Sequence, residues 1–149
     1  MSYVDHTLLP GEQVTYRAHL HWIVFARAVL IGLIGVGCLL PTGHVFAAVA
    51  VVFLSVAVVL WVAAYIQRRT SEFAVTNKRI IVKVGVLRRR TVEILLRQVE
   101  ALEVDQGIAG RIFGYGTLLI IGTGGTRESF DRIGGPLEFR RAAQAASTQ

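Results

Sequence analysis

The sequence predicts a two-helix membrane hairpin followed by a small antiparallel β domain closed by a helix, and three observations carry that prediction. Of 149 residues, 53% are apolar and only 17% are charged, against about 25% charged in a soluble domain. Residues 28–66 contain no Asp, Glu, Lys or Arg. From residue 71 onward, short β-branched runs alternate with glycine-rich turns. The length suits about one domain, and the mean hydropathy of +0.53 is that of a membrane protein with soluble mass attached. High apolar content and a single cysteine exclude a disordered chain, a collagen and a disulfide scaffold.

The uncharged block is too long for one span, and Pro41-Thr42-Gly43-His44 divides it at a tight turn. The two halves, Ile23–Leu40 and Val45–Ile66, reach about 27 and 33 Å as helices, against a hydrocarbon core of about 30 Å. A four-residue connection makes them antiparallel. Arg17 and Arg27 flank the first span and Arg68 and Arg69 follow the second, while the turn has no Lys or Arg. The positive-inside rule then puts both termini in the cytoplasm. Trp22, Trp61 and Tyr65 fall at that same interface as an aromatic belt, and Arg27 snorkels back to the headgroups. Small residues recur at helical spacing: Ala28, Gly32 and Gly35 on the first span, and Ala50, Ala57 and Ala64 on the second. Such seams bring helix backbones together, either within one hairpin or between subunits. Cys38 reads as a small packing residue.

Residues 1–22 read as a separate cytoplasmic segment, 23–66 as the hairpin and 70–149 as the β domain. In the last of these, strands are expected at Phe73–Thr76, Arg79–Val84, Val86–Leu96, Ala101–Gln106, Thr117–Ile121 and Thr126–Ile133. Leu102 and Val104 alternate with Glu103 and Asp105, a half-buried strand, whereas Thr117–Ile121 is apolar throughout, as in a strand covered on both faces. Residues 107–116 hold four glycines and read as a connection. Pro136 suits a helix first turn, and Leu137–Ala146 consists of helix formers.

Several ordered pieces carry a family resemblance. They are Leu9-Pro-Gly11-Glu12, Leu20-His21-Trp22, Phe73-Ala-Val-Thr76-Asn-Lys-Arg79-Ile, Lys83-x-Gly85-x-Leu87, Val99 through Gln106, Gly114-Tyr115-Gly116-Thr117 and Gly135-Pro136-x-Glu138-Phe139. Over nearly its whole length the chain resembles the bacterial membrane-anchored PH-like domain proteins, the YdbS/YdbT-like group. The resemblance implies a strongly bent antiparallel sheet capped by a C-terminal helix, displayed at the cytoplasmic face of the inner (plasma) membrane. It implies no defined activity, because the PH-like fold serves lipid, peptide and protein binding.

The residues offer little catalytic chemistry. Gly114-x-Gly116 lacks the third glycine of a dinucleotide fingerprint, and no Gly-Lys-Ser/Thr follows a glycine run. His19 and His21 alternate on an extended segment, yet only Asp5 and His6 stand near them in the chain to complete a metal site. No histidine follows His44 to serve Ser129 as a base. Glu103 and Asp105 alternate outward and, with Glu100, read as strand surface. No enzyme, cofactor or metal is therefore expected.

One patch is chemically suggestive. Residues 68–97 carry nine cations against Glu72 and Glu93. Among them Lys83, Arg88, Arg89 and Arg90 flank the turn at Gly85 as candidates for anionic lipid, and Lys83, Arg88 and Arg90 resemble the Lys-x(n)-Lys/Arg-x-Arg pattern of lipid-binding PH domains. Beside a membrane, each such cation is drawn to anionic headgroups by about 1 kcal/mol. The patch has no interleaved aromatic platform, which argues against nucleic acid. The sequence thus predicts a membrane-anchored binding or scaffolding module that contacts anionic lipid or a membrane protein partner, self-association through the hairpin being one form of the latter. The alternative is a subunit of an oligomeric pore or transport assembly. A transport path calls for ionisable groups within the spans, and Arg27 alone qualifies, near an interface.

Overall fold

A computed structural model describes residues 4, 7–41, 43–85 and 90–147. The chain divides into two compact units, Met1–His21 with Thr70–Gln149, and Trp22–Arg69.

The first unit holds seven strands among the described residues, arranged in two antiparallel sheets. The first sheet has the order β1 (Val14–Ala18), β2 (Glu72–Thr76), β3 (Arg79–Val84), β4 (Arg90–Leu95). The second has the order β5 (Val99–Asp105), β6 (Tyr115–Gly122), β7 (Thr126–Gly134). A helix over Pro136–Ser147 closes the chain. It buries Pro136, Phe139, Ala143 and Ala146, one stripe at helical spacing. The Phe139 ring meets Tyr16 of β1 edge-on at 6.2 Å.

Alternation along β2 and β3 builds the core. Phe73 meets Phe130 of the second sheet edge-on, with ring centroids 5.8 Å apart. Ala74 and Ile81 point to the opposite face, where Val4, Leu8 and Val14 cover them. The N-terminal residues therefore do not form the separate segment that their sequence suggests. They supply an edge strand and the lid over one face of the first sheet. This role escapes the sequence because the strand that β1 pairs with lies beyond the whole apolar unit in the chain.

Other expectations are corrected in detail. β6 is buried at alternate residues, Leu118 and Ile120 among them, and half-exposed at Thr117, Leu119 and Ile121, so it is not covered on both faces. The glycine-rich 107–116 stretch contains a short helix, Ile108–Phe113. The expected strand from Val86 narrows to β4, and residues 86–89 lie outside the described residues. Glu103 and Asp105 are exposed on β5, as their alternation requires.

The second unit comprises a 3-10 turn at Trp22–Phe25, helix α1 (Ala26–Gly37) and helix α2 (His44–Thr70). Among the described residues, α2 is the one helix long and apolar enough to cross a membrane, and Trp22–Gly37 is a shorter apolar stretch. The first expected span, Ile23–Leu40, is thus cut at its end. Cys38 N–H donates to the Ile34 carbonyl at 3.0 Å, and Leu39 and Leu40 continue only in turns to Val36 and Gly37. The two helices run antiparallel: Phe25 meets Trp61 at 5.8 Å, and a Cβ placed on Gly32 or Gly35 lies 3.6 Å from Ala57 or 3.0 Å from Leu54.

Candidate functional site

The turn between β2 and β3 carries one of the motifs behind the family resemblance, and its residues hold the domain together. Thr76 Oγ1 accepts the amides of Lys78 and Arg79 at 3.2 and 3.0 Å, closing the turn. The same hydroxyl donates to Glu12 Oε1 at 2.7 Å. Arg79 forks onto Glu12, Nε to Oε1 and NH2 to Oε2, both at 2.9 Å. Its other nitrogen reaches Glu93 at 2.6 Å, and NH2 also donates to the Thr7 carbonyl at 2.7 Å. The Leu9 amide completes the Glu12 carboxylate at 2.8 Å. Burial alone raises the Glu12 carboxyl, but the hydrogen bonds from Arg79, Leu9 and Thr76, with the Arg79 charge, hold it below the ordinary carboxylate range. The hydrogen bond to Glu12 raises the Arg79 guanidinium in turn. Arg79 therefore pins the N-terminal segment to the sheet and is withdrawn from the basic patch.

The remaining cations of the patch separate between the two ends of the first sheet. Strand register decides which. Arg79 pairs with Leu95 at one end, and Lys83 with Thr91 and Val84 with Arg90 at the other. Lys78 and Arg97 belong to the Arg79 end, where they line a shallow cavity of about 380 Å³ with Asn77, Leu96 and Ala146. Lys83 and Arg90 belong to the opposite end. There Lys83 stands across from Glu72, which follows Thr70, the last residue of α2, by two positions. Ala18 pairs with Phe73 at the same end. The connection at Thr70 therefore leaves the domain at the Lys83–Arg90 end of the sheet, and β1 ends there too before residues 19–21 pass on to β7. Sequence alone left this end undetermined, because strand pairing fixes it.

Arg90 is exposed for two thirds of its side chain and bonds Glu128 Oε1 at 2.7 Å, a surface pair of modest strength. Arg88 and Arg89 lie outside the described residues. The anchors read from the sequence gather in the apolar unit. Trp61 stacks on Tyr65 at 5.7 Å, the Arg69 guanidinium sits 5.5 Å over the Tyr65 ring, and Trp22, Arg27 and Arg68 are exposed. Ala28, Gly35, Ala50, Ala57 and Ala64 are buried, so the small-residue seams meet within this chain.

No group of three or more metal-ligating side chains occurs among the described residues. The His21 ring stacks on Tyr115 at 5.4 Å, and Asp5 and His6 lie outside the described residues. Sequence reasoning missed Glu12 as the partner of Arg79, and it missed the outward-facing apolar residues of Ile108–Phe113. The Glu12 signal was present only as part of the motif Leu9-Pro-Gly11-Glu12.

The family model of the bacterial PH domain matches residues 23–149. No curated protein matches the chain, and no solved structure does.

Proposed function

The chain belongs to the bacterial PH domain family, and on that footing we propose that it is a membrane-tethered, non-catalytic binding module that turns the Lys83–Arg90 end of its first sheet toward anionic headgroups. Helix α2 serves as the tether. Helix α1 with its preceding 3-10 turn spans about 26 Å and returns beside α2, the small shortfall being met by local thinning and by Arg27 snorkelling. Arg17, Arg27, Arg68 and Arg69 put the domain and both termini in the cytoplasm, as in the YdbS/YdbT-like group that the motifs resemble.

One observation supports the lipid reading above the others. Lys83 stands one strand spacing, about 4.8 Å, from Glu72, two residues beyond the end of α2. A tether this short holds the cationic end close to whatever surface α2 emerges from. Each cation held there gains about 1 kcal/mol from an anionic leaflet.

The test uses the full chain in lipid nanodiscs. Amide hydrogen exchange over residues 79–95 is expected to slow when phosphatidylglycerol replaces part of the phosphatidylcholine. The difference should fade at 1 M salt, where the Debye length is about 3 Å, and disappear in Arg88→Ala/Arg89→Ala/Arg90→Ala. Identical exchange in both lipids would overturn the proposal.

A further inference from the structure

The short helix Ile108–Phe113, labelled α3 here, is built against the usual rule that apolar side chains serve the core. Ile108 and Ile112 are 82% and 72% exposed, and Phe113 is 49% exposed. Among the described residues of the β domain, no other large apolar side chains are as exposed as the two isoleucines. Ile108 and Ile112, one turn apart, share a face. Exposed Arg111 lies on the same two turns.

The helix is fastened by backbone and glycine instead. Gly110 is its buried residue, and a Cβ there would stand 2.5 Å from the Tyr115 carbonyl oxygen. The Gly114 amide closes the C-terminus on the Gly110 carbonyl at 2.8 Å, with Gly114 in the left-handed region. Gln106 Nε2 donates to the Tyr115 carbonyl at 3.0 Å. The domain thus holds a rigid turn that presents two isoleucines outward.

Its location narrows the occupant. Tyr115, two residues after Phe113, stacks on His21. The His21 amide donates to the Arg132 carbonyl at 2.8 Å, and the Gly135 amide to the Gly114 carbonyl at 3.0 Å. Arg132 adopts a positive φ of 58° at this junction, where β7 bends to receive residues 19–21. The next residue after His21 is Trp22, where the apolar unit begins. Helix α3 is therefore fixed beside the point at which the chain leaves the domain.

We propose that α3 is an interfacial wedge, with Ile108, Ile112 and Phe113 entering the boundary between headgroups and acyl chains of the membrane that holds α2, and Arg111 meeting anionic headgroups. Such faces settle about 5–10 Å into that boundary. A bilayer supplies both chemistries that α3 offers. A second copy stacked face to face supplies apolar contact but sets Arg111 beside a like charge. This inference rests on the membrane-tethered reading, yet it concerns a surface separate from the Lys83–Arg90 end.

The test uses the full chain with Cys38→Ser, labelled with an environment-sensitive fluorophore at Ile112→Cys, in phosphatidylcholine–phosphatidylglycerol vesicles. A companion variant carries the label at Thr123→Cys, on the exposed turn between β6 and β7. The label at 112 is expected to shift to the blue, to be quenched by lipids brominated near the headgroup, and to resist aqueous iodide. The label at 123 should be quenched by iodide alone. Iodide quenching at 112 equal to that at 123 overturns the proposal. Shielding at 112 from both quenchers also overturns it, in favour of a second copy. Alkaline carbonate separates the two readings. Retention in the pellet with an iodide-exposed label defeats only the wedge, whereas release from the vesicles defeats the tether and the wedge with it.

Discussion

Glu12 and Arg79 stand 67 residues apart in the chain and meet in a forked ion pair, with the Glu12 side chain wholly buried and Arg79 nearly so. A buried pair of this kind is costly to break, because the surviving charge is left without its partner, at about 3–5 kcal/mol. Glu12→Gln should therefore lower stability by an amount of that order, measured by chemical denaturation of the detergent-solubilised chain. The pH dependence has a definite sign. The folded carboxyl lies below the ordinary range, whereas in the unfolded chain it titrates near about 4.3. Its contribution is complete above the unfolded value and is lost as pH falls through the lowered folded value. Glu12→Gln should flatten this acid limb, and an unchanged limb would show that other carboxylates set it. Both halves of the pair were visible in the sequence as motif residues. Their joint role was not, because nothing in a linear reading pairs Glu12 with a turn so far along the chain.

Among the elements, those with strong periodicity were the most legible. β2, β3 and β5, and the C-terminal helix, stand within a residue or two of where alternation and helix formers placed them. Two elements were hidden for different reasons. β1 is only five residues long, with Val14, Tyr16 and Ala18 alternating, and it exists because β2, beyond the whole apolar unit in the chain, offers an edge: Val14 to Ala18 pair along Thr76 to Phe73. Helix α3 was masked by glycines that read as a loop. These glycines act separately. Gly110 lets the helix approach β6, Gly114 ends it, and Gly116 sits where a Cβ would meet the Asp105 carbonyl oxygen at 2.8 Å. Gly110→Ala should accordingly lift α3 from β6, speed amide exchange over residues 106–116, and lower stability by about 1–3 kcal/mol, the usual cost of overpacking. Unchanged exchange would mean that the turn gives way without strain. In the apolar unit, composition located both helices, but the end of α1 depended on turn bonds at Cys38–Leu40 that hydropathy does not register.

At the scale of the whole molecule, the domain is completed by residues from both sides of the apolar unit, so its two connections, at His21 and Thr70, are fixed by the sheets themselves. The basic residues were evident in the sequence, but their division between two ends of a sheet follows only from register. Arg79 is spent on the N-terminal segment, Lys78 and Arg97 face the far end, and Lys83 with Arg90 mark the end next to the Thr70 connection. In the proposed function this last end faces the membrane. That orientation is tested most directly in the full chain with Cys38→Ser, carrying a nitroxide either at Thr91→Cys, opposite Lys83, or at Arg97→Cys, beyond Leu95 at the other end. Both positions are exposed. In bilayers containing a headgroup-anchored paramagnetic chelate, the nitroxide at 91 should relax strongly and the one at 97 weakly. Equal relaxation at the two sites, or stronger relaxation at 97, would contradict the account.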